Sequence, residues 1–392
     1  MLEALPPAEP DKVMAVMARF RDDPRPEKMD LGIGVYRDGD GRTPVFRAVR
    51  EAERRLAEEE TTKVYTGFTG DPTVTEAAAR AVLGEARAAR ATGCQSAGGT
   101  GALYLLGRLA AQARAGARCW IPSPTWINHA SLLTAAGLEM QTYPWLDGAG
   151  RELDFDAAEA ALAQVPAGDL VILHACCHNP SGADPDAGQW ARLAALAAER
   201  GWIPFFDVAY PGLGDGWDED LAGLRAMVDA VPEALIGLSG SKSFGLYRDR
   251  AGIALAVSPD AAARQAATAS LALLNRNTIS FPPWRGGEIM RRIWADPTLT
   301  EDWRAELGEM RARIKGARSA LAQALARRPG GQGWTFIEDQ RGMFSLLGLS
   351  EGQVDRLRDA HAIFALGPGR INVAGMPLHQ ADRVAEALLD VV

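Results

Sequence analysis

Between about Thr73 and Val257, short apolar runs alternate with helical stretches, and this alternation restricts the fold more than any other feature of the chain. Residues 119–121, 138–145, 170–174, 202–206, 234–238 and 253–257 read as strands, too short and too evenly apolar for surface helices. Residues 98–115, 189–199 and 219–228 carry helical spacing between them. Strands without a polar face need cover on both sides, so the pattern predicts an α/β fold whose mostly parallel sheet is sandwiched by helices. Before this block, residues 11–20 read as a helix capped by Asp11, residues 29–36 as a short strand broken by Gly32 and Gly34, and residues 45–60 as an amphipathic helix. After it, a long helix over 299–325 leads into an α+β segment with strands near 343–346 and 370–373.

At 392 residues the chain is long enough for two cores. A formal net charge of −8 offers no basic excess to displace phosphate counterions, which argues against a nucleic-acid partner. No apolar run approaches the ~18 residues of a membrane span. Residues 1–7 lack a basic segment followed by an apolar one, so no signal peptide is expected and the expected location is cytoplasmic. Cys94, Cys119, Cys176 and Cys177 form no C-x-x-C pair, so buried reduced thiols are expected instead of zinc or redox chemistry. His129, His174 and His178 are too irregularly spaced for a metal site on one helix; they are expected to be satisfied by hydrogen bonds, with no metal.

Only five of the 42 basic residues are lysines, and one of them, Lys242, directly follows an apolar strand in Ser239-Gly240-Ser241-Lys242-Ser243-Phe244-Gly245. Lysine suits such a place when an amine must lose its proton and attack a carbonyl; the plainer alternative is a lysine in a Ser/Gly turn. Trp126, Asn179, Asp207 and Tyr210 also collect at strand ends, where ligands of open α/β sheets bind. An indole, an amide, a carboxylate, a phenol and an amine could together surround an ionisable aromatic ring. Gly98-Gly99-Thr100-Gly101 opens a helix and suits a phosphate, to which Ser239, Ser241 and Arg250 would add donors. There is no G-x-G-x-x-G, Walker lysine or G-x-S-x-G, which disfavours dinucleotide, nucleotide and hydrolase readings. Arg370, after Gly367-Pro368-Gly369, suits a carboxylate or a structural ion pair, and Arg276 suits either a ligand or a solvated helix end.

The ordered set of motifs resembles the class I, fold-type-I aminotransferases of the aspartate/aromatic branch. It comprises Leu31-Gly32-Ile33-Gly34-Val35-Tyr36, Gly98 to Leu103, Cys176-Cys177-His178-Asn179-Pro180, Asp207-Val208-Ala209-Tyr210, Ser239 to Tyr247, Arg341-Gly342-Met343-Phe344-Ser345 and Gly369 to Gly375. The resemblance implies a large domain with a seven-stranded-type sheet over residues 45–309. It also implies a smaller α+β domain built from residues 12–44 and 310–392, and an N-terminal arm over 1–11. It implies pyridoxal 5′-phosphate in Schiff-base linkage to Lys242, Asp207 on the ring nitrogen, Tyr210 and Asn179 on the ring oxygen, and Trp126 stacked on the ring. Gly99, Thr100, Ser239, Ser241 and Arg250 would hold the phosphate, with Tyr65 reaching in from the second subunit of a homodimer. Arg370 would clamp the substrate α-carboxylate, beside Trp126, Asn179 and the Gly34 backbone, and Arg276 would meet a side-chain carboxylate across the dimer interface.

The implied reaction is ping-pong transamination between an amino acid and a 2-oxo acid, with Lys242 as the base. Arg276 favours aspartate, glutamate and 2-oxoglutarate, while Val64 and Phe281, apolar where aspartate-selective relatives tend to carry asparagine, favour an aromatic side chain. An enzyme taking tyrosine, phenylalanine or aspartate is therefore expected, with a mainly aspartate-directed enzyme and, remotely, a non-catalytic cofactor sensor as alternatives. Gly240, Ile127, Pro211 and Gly367-Pro368 depart from the family pattern, and Gly240 in particular suggests a loosened pocket.

Overall fold

The computed structural model describes residues 1–5 and 11–392; residues 6–10 of the expected N-terminal arm lie outside them. The strands in chain order are β1 (Met29–Asp30), β2 (Ala91–Ala97), β3 (Arg118–Ser123), β4 (Glu139–Pro144), β5 (Leu170–His174), β6 (Ile203–Val208), β7 (Ala234–Ser239), β8 (Ala251–Val257), β9 (Phe344–Leu346), β10 (Ile363–Phe364) and β11 (Arg370–Asn372). Seven of them form one sheet in the order β2-β8-β7-β6-β5-β3-β4. The pairs β7–β6, β6–β5, β5–β3 and β3–β4 are parallel, and β8 alone runs antiparallel to both neighbours. The α/β expectation holds: β5 and β8 are buried along their whole length, as strands covered on both faces must be.

The helices are cut to length by local chemistry. Asp186 and Gln189 form a reciprocal capping box at the start of Ala187–Arg200, and left-handed Gly201 ends it. Asp11 caps Lys12–Asp22 by accepting from the Met14 amide, as its sequence position suggests.

Three clusters of buried side chains make up the core. Two lie against the seven-stranded sheet, and a third gathers Met29, Leu31, Leu347, Ile363, Ile371 and Val384 around the chain's two ends. The helix Pro297–Ala326 joins them, with Leu299, Trp303 and Ile314 in the first core and Ala317, Leu321 and Leu325 in the terminal one.

Two elements differ from the sequence reading. The strand expected over residues 29–36 stops at Asp30: Leu31 O accepts from the Asn372 amide of β11, and from Gly32 onward the carbonyls turn to side chains, Gly32 O accepting from Arg370 and Ile33 O and Val35 O from Asn372. In the other direction, Ala91–Ala97 is a sheet strand that hydrophobicity does not announce. Its Ala-Thr-Gly-Cys-Gln-Ser-Ala sequence lacks bulky residues because Gly93 lies against Thr75 and Leu255, where a Cβ would collide.

Candidate active site

The carboxyl ends of β5, β6 and β7 deliver His174, Asp207 and Ser239 to one edge of the sheet. Immediately after β7 the lysine turn is pinned at three points. The Gly240 amide donates to Ala251 O at 3.0 Å, the Ser243 hydroxyl to Pro211 O at 2.7 Å, and the Trp303 indole to Ser243 O at 2.7 Å. Phe244 stacks on Trp303, with ring centres 4.6 Å apart, and anchors the turn in the core. Gly240 is explained by this packing: a Cβ there would lie 2.7 Å from Met290 Sδ and 3.1 Å from the Ala251 Cβ. The glycine marks a tight fit behind the turn, which corrects the expectation of a loosened pocket. Pro211 contributes a carbonyl to the same turn, and Ile127 is exposed, away from the cluster.

Lys242 is partly accessible at this edge of the sheet, its Nζ 5.1 Å from the centre of the Tyr210 ring. Burial lowers its amine to about 8; Asp207 opposes that shift, and Arg250 and Arg370 reinforce it. For Asp207, burial pulls its carboxyl upward, but a hydrogen bond with His129 and the Lys242 charge prevail and hold it below the ordinary carboxylate value. His129 Nε2 lies 3.2 Å from Asp207 Oδ2, and Nδ1 lies 2.8 Å from the Thr125 hydroxyl. With Asp207 ionised, Nε2 is the donor in that contact. Trp126 meets the His129 ring edge-on at 5.3 Å.

His174 departs from the expectation of a satisfied histidine. Both its nitrogens are buried without a partner among the described residues, and burial pushes it down to about 3, so it stays neutral. His178 does bond Ser181 through Nδ1, while its Nε2 is left unpaired. His129, His174 and Asp207 each offer a donor atom within 4.8 Å of the others, although sequence spacing had pointed away from such a cluster. The four cysteines are buried free thiols, as expected.

Beside the amine, Asn179 donates to the Tyr210 hydroxyl at 3.3 Å and accepts from Arg370 Nη1 at 3.4 Å. Burial raises the Tyr210 phenol well above its usual value, so it remains a proton donor at neutral pH. Arg370 also donates to Gly32 O at 2.6 Å and lies 4.4 Å over the Phe344 ring. Burial lowers its guanidinium, which stays charged. Phe344 touches the position a Gly34 Cβ would occupy, at 3.0 Å, so Gly34 leaves room for the ring.

At the other end of the crevice the helix Gly98–Ala113 starts without a side-chain cap; its Gly98 amide donates to Arg250 O at 2.7 Å, and the amides of Gly99 and Thr100 come next at the helix end. A Cβ on Gly98 would strike the Arg250 guanidinium, and one on Gly99 would lie 2.8 Å from the Ser239 Cβ. The glycine pair thus lets the uncapped helix end with Gly99 and Thr100, Arg250, and the hydroxyls of Ser239 and Ser241 converge. Arg250 Nη1 reaches Ser241 Oγ at 3.4 Å, and Ser239 Oγ accepts from the Ser241 amide. This donor set fits a phosphate, Lys242 fits an aldehyde, and an ionised Asp207 fits a protonated ring nitrogen, in that order along one crevice. Pyridoxal 5′-phosphate matches the whole series.

Two expected site residues stand apart. Tyr65 is 77% exposed and stacks on Phe281 at 4.5 Å. Arg276 is exposed on the last turn of Ala261–Thr278, 4.8 Å over the Phe68 ring. Neither joins the Lys242 cluster within its own chain. The residues not anticipated from sequence are Thr125, His129, Phe344 and Tyr247, whose hydroxyl accepts from the Tyr36 amide at 3.1 Å. His129 follows Trp126 by three residues, and that proximity was its only signal.

A family profile described as aminotransferase class I and II matches residues 26–388. The chain belongs to that family. Like its relatives, this aminotransferase is a pyridoxal-phosphate-dependent transferase. It is 43% identical to an aromatic-amino-acid aminotransferase of Paracoccus denitrificans over 392 residues, covering 100% of both chains. To an aspartate aminotransferase of Salmonella typhi it is 39% identical, again covering 100% of both. A solved aromatic-amino-acid aminotransferase from Burkholderia pseudomallei, described as covalently bound to pyridoxal phosphate, superposes with a TM-score of 0.94 at 36% identity, covering 100% of this chain and 99% of that one. Among the described residues no helix is long and apolar enough to cross a membrane.

Proposed function

We propose that this aminotransferase moves the amino group of tyrosine, phenylalanine or aspartate to 2-oxoglutarate, as a cytoplasmic homodimer with shared active sites. The observation that carries the reading is the Arg370–Asn179–Tyr210–Lys242 series, which sets a carboxylate-binding cation beside an amine whose pKa is near neutral. Pyridoxal phosphate, when bound, supplies an aldehyde for the amino group and an electron-withdrawing ring that acidifies the α-carbon. Asp207, oriented by His129, keeps a proton on the ring nitrogen. Gly99, Thr100, Ser239, Ser241 and Arg250 hold the phosphate, and Trp126 covers the ring.

Arg370 holds the α-carboxylate beside Asn179 and the Gly34 backbone, placing the α-proton within reach of Lys242 Nζ. At about 8 the amine is near the operating pH, where a base both takes and returns a proton efficiently. The Tyr210 hydroxyl, kept protonated, donates to the ring oxygen and steadies the amine next to it. The crevice lies between the sheet-based domain, residues 45–309, and the smaller domain of residues 12–44 and 310–392, whose approach would exclude water.

Tyr65 and Arg276 serve the neighbouring subunit's crevice in this reading. Their exposure and distance from the cluster support it, as does the apolar Val64–Tyr65–Phe281 surface beside them. Arg276 receives the second carboxylate of aspartate, while that apolar surface receives an aromatic side chain. Mixing Lys242→Ala and Arg276→Ala subunits tests it directly: randomly mixed dimers should regain about a quarter of wild-type aspartate activity, because half are hybrids with one intact site. Activity no higher than that of the better parent overturns the shared site.

A further inference from the structure

Arg318, on the helix Pro297–Ala326, is 1% exposed and makes no ion pair among the described residues. Its guanidinium is given over to one turn. Nη1 donates to Ile337 O at 3.1 Å and to Ser345 Oγ at 2.7 Å; Nη2 donates to Arg341 O at 3.2 Å, Gly342 O at 2.7 Å and Phe344 O at 2.6 Å. Burial lowers its pKa to about 10, with Cys177 and Asp184 acting in the opposite sense, so the group stays charged at neutral pH. A buried cation without an anion is costly, and an apolar side chain would fill the space at less expense. What an apolar residue could not do is hold four carbonyls and a hydroxyl in one arrangement.

We propose that Arg318 is a positioning residue for transamination, setting the carboxylate-binding guanidinium of Arg370 through the 341–345 turn. The route is short. Phe344, whose carbonyl Arg318 grips, lies 4.4 Å beneath Arg370, and its strand β9 pairs with β11, which begins at Arg370. The same turn meets the loop that carries Asn179: Arg341 donates to Gly182 O at 2.8 Å, and Gly342 packs on Cys177. Arg318 therefore stands where the helix joining the two cores, the carboxylate clamp and the Asn179 loop come together. A slackened turn lets the Phe344 ring tilt and takes Arg370 off its Asn179 and Gly32 contacts. This inference rests on the proposed role of Arg370.

The test uses Arg318→Lys and Ser345→Ala holoenzymes, titrated with 3-phenylpropionate while cofactor absorbance is followed, together with KM and kcat for phenylalanine and aspartate. Cofactor content should match wild type. For Arg318→Lys, the Kd of 3-phenylpropionate and both KM values should rise about tenfold, with kcat within about threefold. Ser345→Ala, which keeps the buried charge and removes one acceptor, should shift the same constants about threefold and decides the matter if the lysine variant does not fold. A lowered Tm with Kd and KM unchanged, or a fall in kcat alone, overturns the proposal. Arg370→Lys in the wild-type background is the separate control. If it leaves the Kd of 3-phenylpropionate unchanged, the proposed role of Arg370 fails, whatever Arg318 does.

Discussion

Of the places where cations lie over aromatic rings in this molecule, two have sharply different surroundings. In the crevice, Lys242 lies over Tyr210 and Arg370 over Phe344, at 5.1 and 4.4 Å, and buried Asn179 bonds both Tyr210 and Arg370. On the outer face, Arg276 lies over Phe68 at 4.8 Å, and Tyr65 stacks on Phe281 with most of its surface in water. The first set is a preorganised site, with pKa values moved by burial and fixed partners. The second has the same residue types without the enclosure, and in the proposed function a second copy of the chain would supply it.

The largest expected effect lies in the enclosed set. Lys242→Ala removes the only amine there and should lower kcat for phenylalanine with 2-oxoglutarate by about 10⁴-fold or more, measured at saturating cofactor. Retention of even a few per cent of turnover would mean that the proton moves through another group. Next is the outer face. Arg276→Ala should cost aspartate about 100-fold in kcat/KM, the scale of one lost charge-assisted contact, and leave phenylalanine within about threefold. Equal loss for both substrates would place Arg276 in the framework instead of the pocket.

The enclosed set was the more legible in sequence because its residues sit at strand ends, where position in the chain fixes position in space. Asp207 lies next to the end of β6 and Lys242 follows β7, so reading the strands was enough to bring them together. Phe344 and His129 were missed for the converse reason. Their importance comes from what they touch, Arg370 and Asp207, and those contacts bridge long separations in sequence. Gly240 was misread because a glycine is ambiguous in sequence: only Met290, packed behind it from another helix, shows that the absent side chain would collide. Strand β2 escaped because its small residues answer to Thr75 and Leu255 across the sheet face, which periodicity cannot register.

Enclosure also predicts a pH response absent from the outer face. In the cofactor-free protein, burial favours the neutral amine of Lys242, so labelling by an amine-selective acylating reagent should rise about tenfold between pH 7 and 9, with a midpoint near about 8. The sign for stability follows: the unfolded chain binds one more proton than the folded one between about 8 and the usual lysine value, so folding stability should increase with pH through that window. A labelling midpoint at the ordinary lysine value would show that solvent reaches the amine freely.

The smallest expected effect is at Tyr65, and it separates the two regions most finely. Tyr65→Phe keeps the ring on Phe281 and deletes only a hydroxyl. If the phosphate is held wholly by Gly99, Thr100, Ser239, Ser241 and Arg250 of its own chain, cofactor affinity will not change. If a second copy completes the cradle, one hydrogen bond to an anion is lost, and the cofactor Kd should rise about five- to tenfold by equilibrium titration, with kcat at saturating cofactor close to wild type. The Tm of the cofactor-free protein should stay put, because an exposed hydroxyl contributes little to folding. A fall in that Tm without a change in Kd would make Tyr65 a packing residue of the outer face, and the phosphate site would then be complete within one chain.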